Sequence, residues 1–148
     1  FINQKLFYLK RKMKSPIYSH KIKTRYAETD QMGFIHHSVY LVYLEEARTM
    51  LWEFLGYPYY KMEQEGYFVV VLSAQLEFKK PSFYGDILRV DITSIEHNGI
   101  KFSYYYNIFN ETKNYLSIIA KTEHVFINKQ GKPIRIPDYI SNVIKKLI

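Results

Sequence analysis

Asp30, Gly33, His36 and His37 fall within eight residues, directly ahead of the chain's only long amphipathic segment. A helix beginning there would present unpaired backbone N–H groups and the positive end of its dipole. A carboxylate beside such an end suits acyl chemistry. It can attack a carbonyl carbon or activate water, while the N–H groups hold the developing oxyanion. Asp30 is the candidate reactive group, and Gly33 is the candidate for a turn that brings loop and helix together. Adjacent histidines on a helix point apart, unlike the i, i+4 pair of a helical metal site, so no metal is expected. The chain has no Cys, which excludes a thiol nucleophile, a zinc–thiolate site and a disulfide scaffold.

These groups need elements to hold them. His20 to Tyr26 alternates charged and less polar side chains, as a strand does. Residues 38–55 carry Tyr40, Tyr43, Leu44, Ala47, Met50, Leu51, Phe54 and Leu55 on one broad helical face, with Ser38 as candidate N-cap and Gly56 with Pro58 as stop signals. Glu45, Arg48, Thr49 and Glu53 occupy the other face, where Val42 and Trp52 interrupt them, so burial on more than one side is expected. Glu45 and Glu46 read as carboxylates in surface or interface pairs, for instance with Arg48. A short helix is expected from Tyr59 to Glu65. Strand patterns then cover Tyr67–Lys80, Ile87–Ile95, Ile100–Ile108 and Tyr115–Ile127, with Asn98-Gly99 favouring a tight hairpin. Pro137–Leu147 reads as a closing helix. One helix followed by an antiparallel meander implies an α+β domain whose sheet packs on that helix.

At 148 residues with 47% hydrophobic content the chain can build one core, and its 15 Tyr and 10 Phe favour strands. The net charge of +7 is unevenly spread. The first 25 residues hold eight of the 21 Lys and Arg and none of the 14 acids, which leaves 13 basic against 14 acidic residues beyond them. Residues 1–17 therefore read as a basic, solvated and partly disordered extension, and 18–148 as the domain. No nucleic-acid role is expected of that charge run. Without a signal sequence or a membrane-length apolar run, a cytoplasmic protein is expected.

Three ordered motifs carry a resemblance. Asp30-Gln31-Met32-Gly33-Phe34-Ile35-His36-His37-Ser38-Val39-Tyr40 precedes Glu45-Glu46-Ala47-Arg48. Pro81-Ser82-Phe83-Tyr84-Gly85-Asp86-Ile87-Leu88 follows, and Gly131 to Pro137 closes the set. Together they resemble the hotdog-fold acyl-CoA thioesterases of the 4-hydroxybenzoyl-CoA thioesterase and YbgC-like type, over about residues 18–147. His36 departs from the Tyr of many relatives. The resemblance implies about five antiparallel strands wrapped around one central helix. It also implies hydrolysis of an acyl-CoA thioester to a free acid and CoA, with no cofactor. Asp30 is then nucleophile or general base, and the His37 N–H receives the carbonyl oxygen. Gly33, His36 and Tyr40 are expected at the substrate, with Lys79, Lys80 and Arg135 among the cations for CoA phosphates; Arg89 and Lys132 are further candidates. An acyl carrier protein thioester is an alternative substrate, and a non-catalytic acyl-CoA-binding module an alternative role. The resemblance further implies a homodimer with pockets at the subunit interface, pairing into a homotetramer.

Overall fold

The computed structural model describes residues 15–148. The basic extension expected over 1–17 lies, for residues 1–14, outside the described residues. Six strands form one antiparallel sheet: β1 Tyr18–Lys23, β2 Phe68–Phe78, β3 Ile87–His97, β4 Lys101–Asn110, β5 Tyr115–Ile127 and the two-residue β6 Pro133–Ile134. The order is β1-β3-β4-β5-β2, with β6 paired to β5. Three helices accompany it: α1 Val39–Phe54, α2 Tyr59–Gln64 and α3 Asp138–Leu147. This is the expected α+β architecture, with each expected strand displaced by no more than a few residues. The first strand moved most, from 20–26 to Tyr18–Lys23. Residues Tyr26–Glu28 instead turn as a short 3-10 helix, because the Glu28 carboxylate draws in the Arg25 N–H at 2.7 Å and the Arg25 guanidinium at 3.1 Å.

The core forms where α1 lies on the sheet. Tyr43, Leu44, Ala47 and Leu51 pack against Leu88, Val90 and Ile92 of β3 and Tyr104, Tyr106 and Ile108 of β4, all nearly inaccessible. Burying a side chain such as Leu44 or Leu51 stabilises by about 1.5–3 kcal/mol. Trp52 is also buried, as its place among polar neighbours suggested, and its indole N–H donates to the Tyr104 hydroxyl at 2.7 Å.

Arg48 is a correction to the sequence reading. It is 6% exposed and donates to the Tyr106 hydroxyl at 3.1 Å, so it forms no surface pair with Glu45 or Glu46. Glu46 meets His20 at 2.8 Å instead. The helical wheel misplaced Arg48 because α1 is covered on two sides, by the sheet and by α2.

His124 on β5 is 1% exposed, and its Nε2 lies 2.7 Å from the Thr122 hydroxyl. Burial, and then the nearby Arg48 charge, push its pKa down to about 3. The unfolded chain, where histidine titrates near 6.5, thus binds a proton that the fold refuses. The stability this gives is complete above about pH 6.5 and drains away as pH falls towards 3. Urea midpoints measured from pH 7 to 4 should decline. His124→Phe, which keeps the ring stacked on Phe102, should remove up to about 1.4 kcal/mol per pH unit of that slope.

Candidate active site

Asp30 opens a tight turn. Its backbone N–H donates to the Phe34 carbonyl at 2.7 Å, and its carbonyl accepts the Gly33 N–H at 3.0 Å. Its carboxylate is part of the turn, since Oδ1 accepts the N–H groups of Met32 at 2.9 Å and Phe34 at 3.0 Å. Among the described residues Oδ2 accepts nothing, which leaves it as the oxygen available for chemistry. Gly33 sits at φ +81°, a conformation that strains any side chain. Thr29 and Ile35 bridge across the turn's base.

From the turn the chain runs to α1 through His36 and His37. The His36 N–H donates to the Glu28 carbonyl at 2.9 Å, and the Val39 N–H returns to the His36 carbonyl at 3.0 Å. Among the described residues the His37 N–H, between them, donates to no protein acceptor. It lies at the positive end of a 16-residue helix. Two local expectations fail. Ser38 does not cap α1; its hydroxyl meets His36 Nδ1 at 2.7 Å. The two imidazoles do not point apart but lie 4.2 Å between centroids, because both precede the helix. Both are exposed.

Asp30 and His37 line one cavity of about 410 Å³ with Phe34, Tyr40, Phe78 and Lys80. The walls are aromatic: Tyr40 is 3% exposed and stands 5.9 Å from Phe78, edge to face. Lys79 also lines the cavity and pairs with Glu77 at 2.7 Å. Lys80 lies 5.1 Å over the Tyr115 ring. Of the expected residues, then, Asp30, His37, Tyr40, Lys79 and Lys80 come together, and Gly33 shapes their turn. His36 stands beside them at Ser38. Arg135 stands elsewhere. It follows Ile134, which pairs with Phe126, whereas Phe78 pairs with Ile118 near the other end of β5. Arg89 is neutralised by Asp91 at 2.9 Å and Glu111 at 3.3 Å.

The second motif proves to be the brace of the first. Asp86 is 2% exposed and gathers three donors: the Phe83 N–H at 2.9 Å, Asn110 at 2.8 Å and the Lys113 ammonium at 2.7 Å. Burial alone would raise its pKa. These hydrogen bonds and the Lys113 charge outweigh burial and hold the carboxyl below its ordinary value. Gly85, at φ +81°, lets the chain fold back onto its own carboxylate. The loop so fixed presents the Ser82 carbonyl to the Ile35 N–H at 2.8 Å and sets Phe83 edge-on to Phe34 at 5.3 Å. A second brace escaped the sequence reading. Glu28, 8% exposed, accepts the Tyr43 hydroxyl at 2.9 Å and so ties the loop to α1. Its only sequence signal was that it is the first acid of the chain, just after the basic run that ends at Arg25.

An antiparallel sheet in the order β1-β3-β4-β5-β2 packed on one long helix is the hotdog fold. The chain belongs to the thioesterase-like superfamily, whose sequence profile matches residues 24–144. It is 40% identical over 116 residues to a Bacillus subtilis (strain 168) protein named "Putative acyl-CoA thioesterase YneP", a match that spans 78% of this chain and 83% of that one. A Staphylococcus aureus DHNA-CoA thioesterase structure superposes with TM-score 0.78 at 34% identity, covering 86% of this chain and 85% of that one. An Aquifex aeolicus hypothetical protein superposes with TM-score 0.80 at 34% identity, covering 86% and 98%.

Because Asp86 satisfies three donors in a buried site, Asp86→Ala should cost about 3–5 kcal/mol of unfolding free energy, read from urea melts. A loss below 1 kcal/mol would show that the brace is dispensable.

Proposed function

We propose that the chain hydrolyses an acyl-CoA thioester to a carboxylic acid and CoA, with Asp30 at the reacting carbon and the His37 N–H on the carbonyl oxygen. The observation that carries this reading is the division of the Asp30 carboxylate. Oδ1 is spent on two backbone N–H groups, which fixes the group in place, and Oδ2 faces no competitor. As nucleophile, Oδ2 bonds to the thioester carbon and the CoA sulfur leaves, after which water cleaves the acyl–Asp30 anhydride. As general base, Oδ2 takes the proton of the attacking water. Both routes use the same oxygen and the same oxyanion donor. Superfamily membership supports the thioester-hydrolase class, and the relatives' names support acyl-CoA as the thioester.

The aromatic walls formed by Phe34, Tyr40 and Phe78 suit the acyl group. Lys79 and Lys80 at the rim suit the CoA phosphates, for which Lys and Arg are the usual partners. In the same reading the active unit is a homodimer, with dimers pairing into a homotetramer. The outer edge of β2 supports this, since its residues 71–75 are all exposed, with Val71 at 53% and Leu72 at 47%. An uncovered apolar edge strand invites pairing with another chain.

Asp30→Asn keeps an oxygen for the Met32 and Phe34 N–H groups while removing the charge. It should lower kcat by about 100- to 10,000-fold, measured as thiol release from aromatic and aliphatic acyl-CoAs, with an unchanged melting temperature. Near-wild-type turnover would sink the assignment. Sedimentation should return at least twice the 17.8 kDa chain mass, and a monomer at working concentration would refute the assembly.

A further inference from the structure

Glu28 grips the Asp30 segment from two sides. Its backbone carbonyl accepts the His36 N–H at 2.9 Å. Its side chain reaches the other way, into the domain. Oε1 accepts the Tyr43 hydroxyl at 2.9 Å and the Arg25 N–H at 2.7 Å, and Oε2 meets the Arg25 guanidinium at 3.1 Å. These partners differ in weight. The Arg25 side chain is 74% exposed, and an ion pair so open to water contributes little. Tyr43 is almost wholly buried, so its hydrogen bond to a carboxylate is made away from water, where such bonds are strong. Burial alone would raise the Glu28 pKa. The hydrogen bonds from Arg25 and Tyr43 outweigh it and hold the carboxyl below its ordinary value. Burial, and then the Glu28 carboxylate, push the Tyr43 pKa up, so the phenol keeps its proton and donates.

The main-chain bond from His36 to Glu28 and the Thr29–Ile35 bridge run side by side, so residues 28–29 and 35–36 form a short antiparallel ladder that the Asp30 turn closes. The far side of this ladder leans on the 81–86 loop, where the Ile35 N–H donates to Ser82. Its near side is fastened to α1 by the Glu28–Tyr43 hydrogen bond. Tyr43 stands one helical turn from Tyr40, with the two rings 6.0 Å apart and edge to face, and Tyr40 lines the cavity with Asp30 and His37. Without the Tyr43 hydroxyl the ladder would keep its support on the loop and lose its side-chain tie to the helix whose start carries the His37 N–H.

We propose that Glu28 and Tyr43 are positioning residues for Asp30, their hydrogen bond setting the distance between the Asp30 carboxylate and the His37 N–H. The inference rests on the thioesterase reading of Asp30. Tyr43→Phe removes one hydroxyl and keeps the ring against Tyr40. It should lower kcat for acyl-CoA hydrolysis by about 10- to 100-fold with KM within about twofold of wild type, because misplaced reacting groups weaken the transition state more than binding. Glu28→Ala should lose at least as much. Glu28→Gln, whose amide oxygen still accepts from Tyr43, should fall between Glu28→Ala and wild type. A merely structural role would lower the melting temperatures of these variants and leave kcat, measured well below melting, unchanged. Amide hydrogen exchange gives a readout that needs no turnover. In Tyr43→Phe the Phe34 and His36 amides should exchange about tenfold faster or more, with the amides of β3 and β4 unchanged. A kcat within about twofold of wild type in Tyr43→Phe, or unchanged exchange at Phe34 and His36, would overturn the proposal. If the wild-type protein hydrolyses no acyl-CoA, the thioesterase reading fails on that result, and hydrogen exchange alone decides whether the tie positions the turn. Should Tyr43→Phe fail to fold, Glu28→Gln against wild type by the same two measurements decides.

Discussion

The arrangement around Asp30 depends on a second carboxylate, buried and fully engaged in hydrogen bonds. Asp86 is almost wholly buried, and a buried anion is tolerable only when its lone pairs are taken. Phe83, Asn110 and Lys113 take them, from its own loop, from β4 and from the turn after β4. One side chain thereby fixes the 81–86 loop against the sheet. The loop's Ser82 carbonyl and Phe83 ring then hold Ile35 and Phe34, and these two residues close the Asp30 turn. The two motifs lie some fifty residues apart in sequence and work as one unit in space.

In the proposed reading, placement comes from backbone more than from side chains. The Asp30 carboxylate is held by two N–H groups of its own turn, and the proposed oxyanion donor is the main-chain N–H of His37. Main-chain groups on a braced turn and a helix start have little freedom to reorganise as charge develops, which is the condition under which such donors are most effective. Substitutions at His36 or His37 leave the N–H groups in place, which fits the exposure of both rings.

Much of the fold was legible in the sequence, because period-two and period-3.6 patterns report burial faces directly. The Asp30–His37 segment stood out by residue type and spacing, and its expected role came from the resemblance of three ordered motifs. Arg48, His124 and Glu28 were not. A charged residue on a helical wheel reads as solvent-facing, and only the cover that α2 adds over α1 makes Arg48 an interior group. His124 sat in an unremarkable strand alternation, and its partners Thr122 and Tyr106 are brought together by the β4–β5 register. Arg135, expected among the cations for CoA phosphates by residue type, lies at the other end of β5 from Phe78 through its strand pairing, a non-local fact that local patterns do not encode.

Both edge strands of the sheet are joined by long detours of chain. β1 pairs with β3 through partners such as Tyr18 and Ile92, and β2 pairs with β5 across Phe68 and Ile127. The β3–β4–β5 meander, with the short β6 that follows it, is built from neighbours in sequence. Closing the longer loops costs chain entropy that local hairpins avoid. The Asp30 turn hangs between β1 and α1 and leans on a loop between β2 and β3. Its shape therefore rests on contacts between segments far apart in sequence, the 30–35 turn and the 81–86 loop anchored on β4.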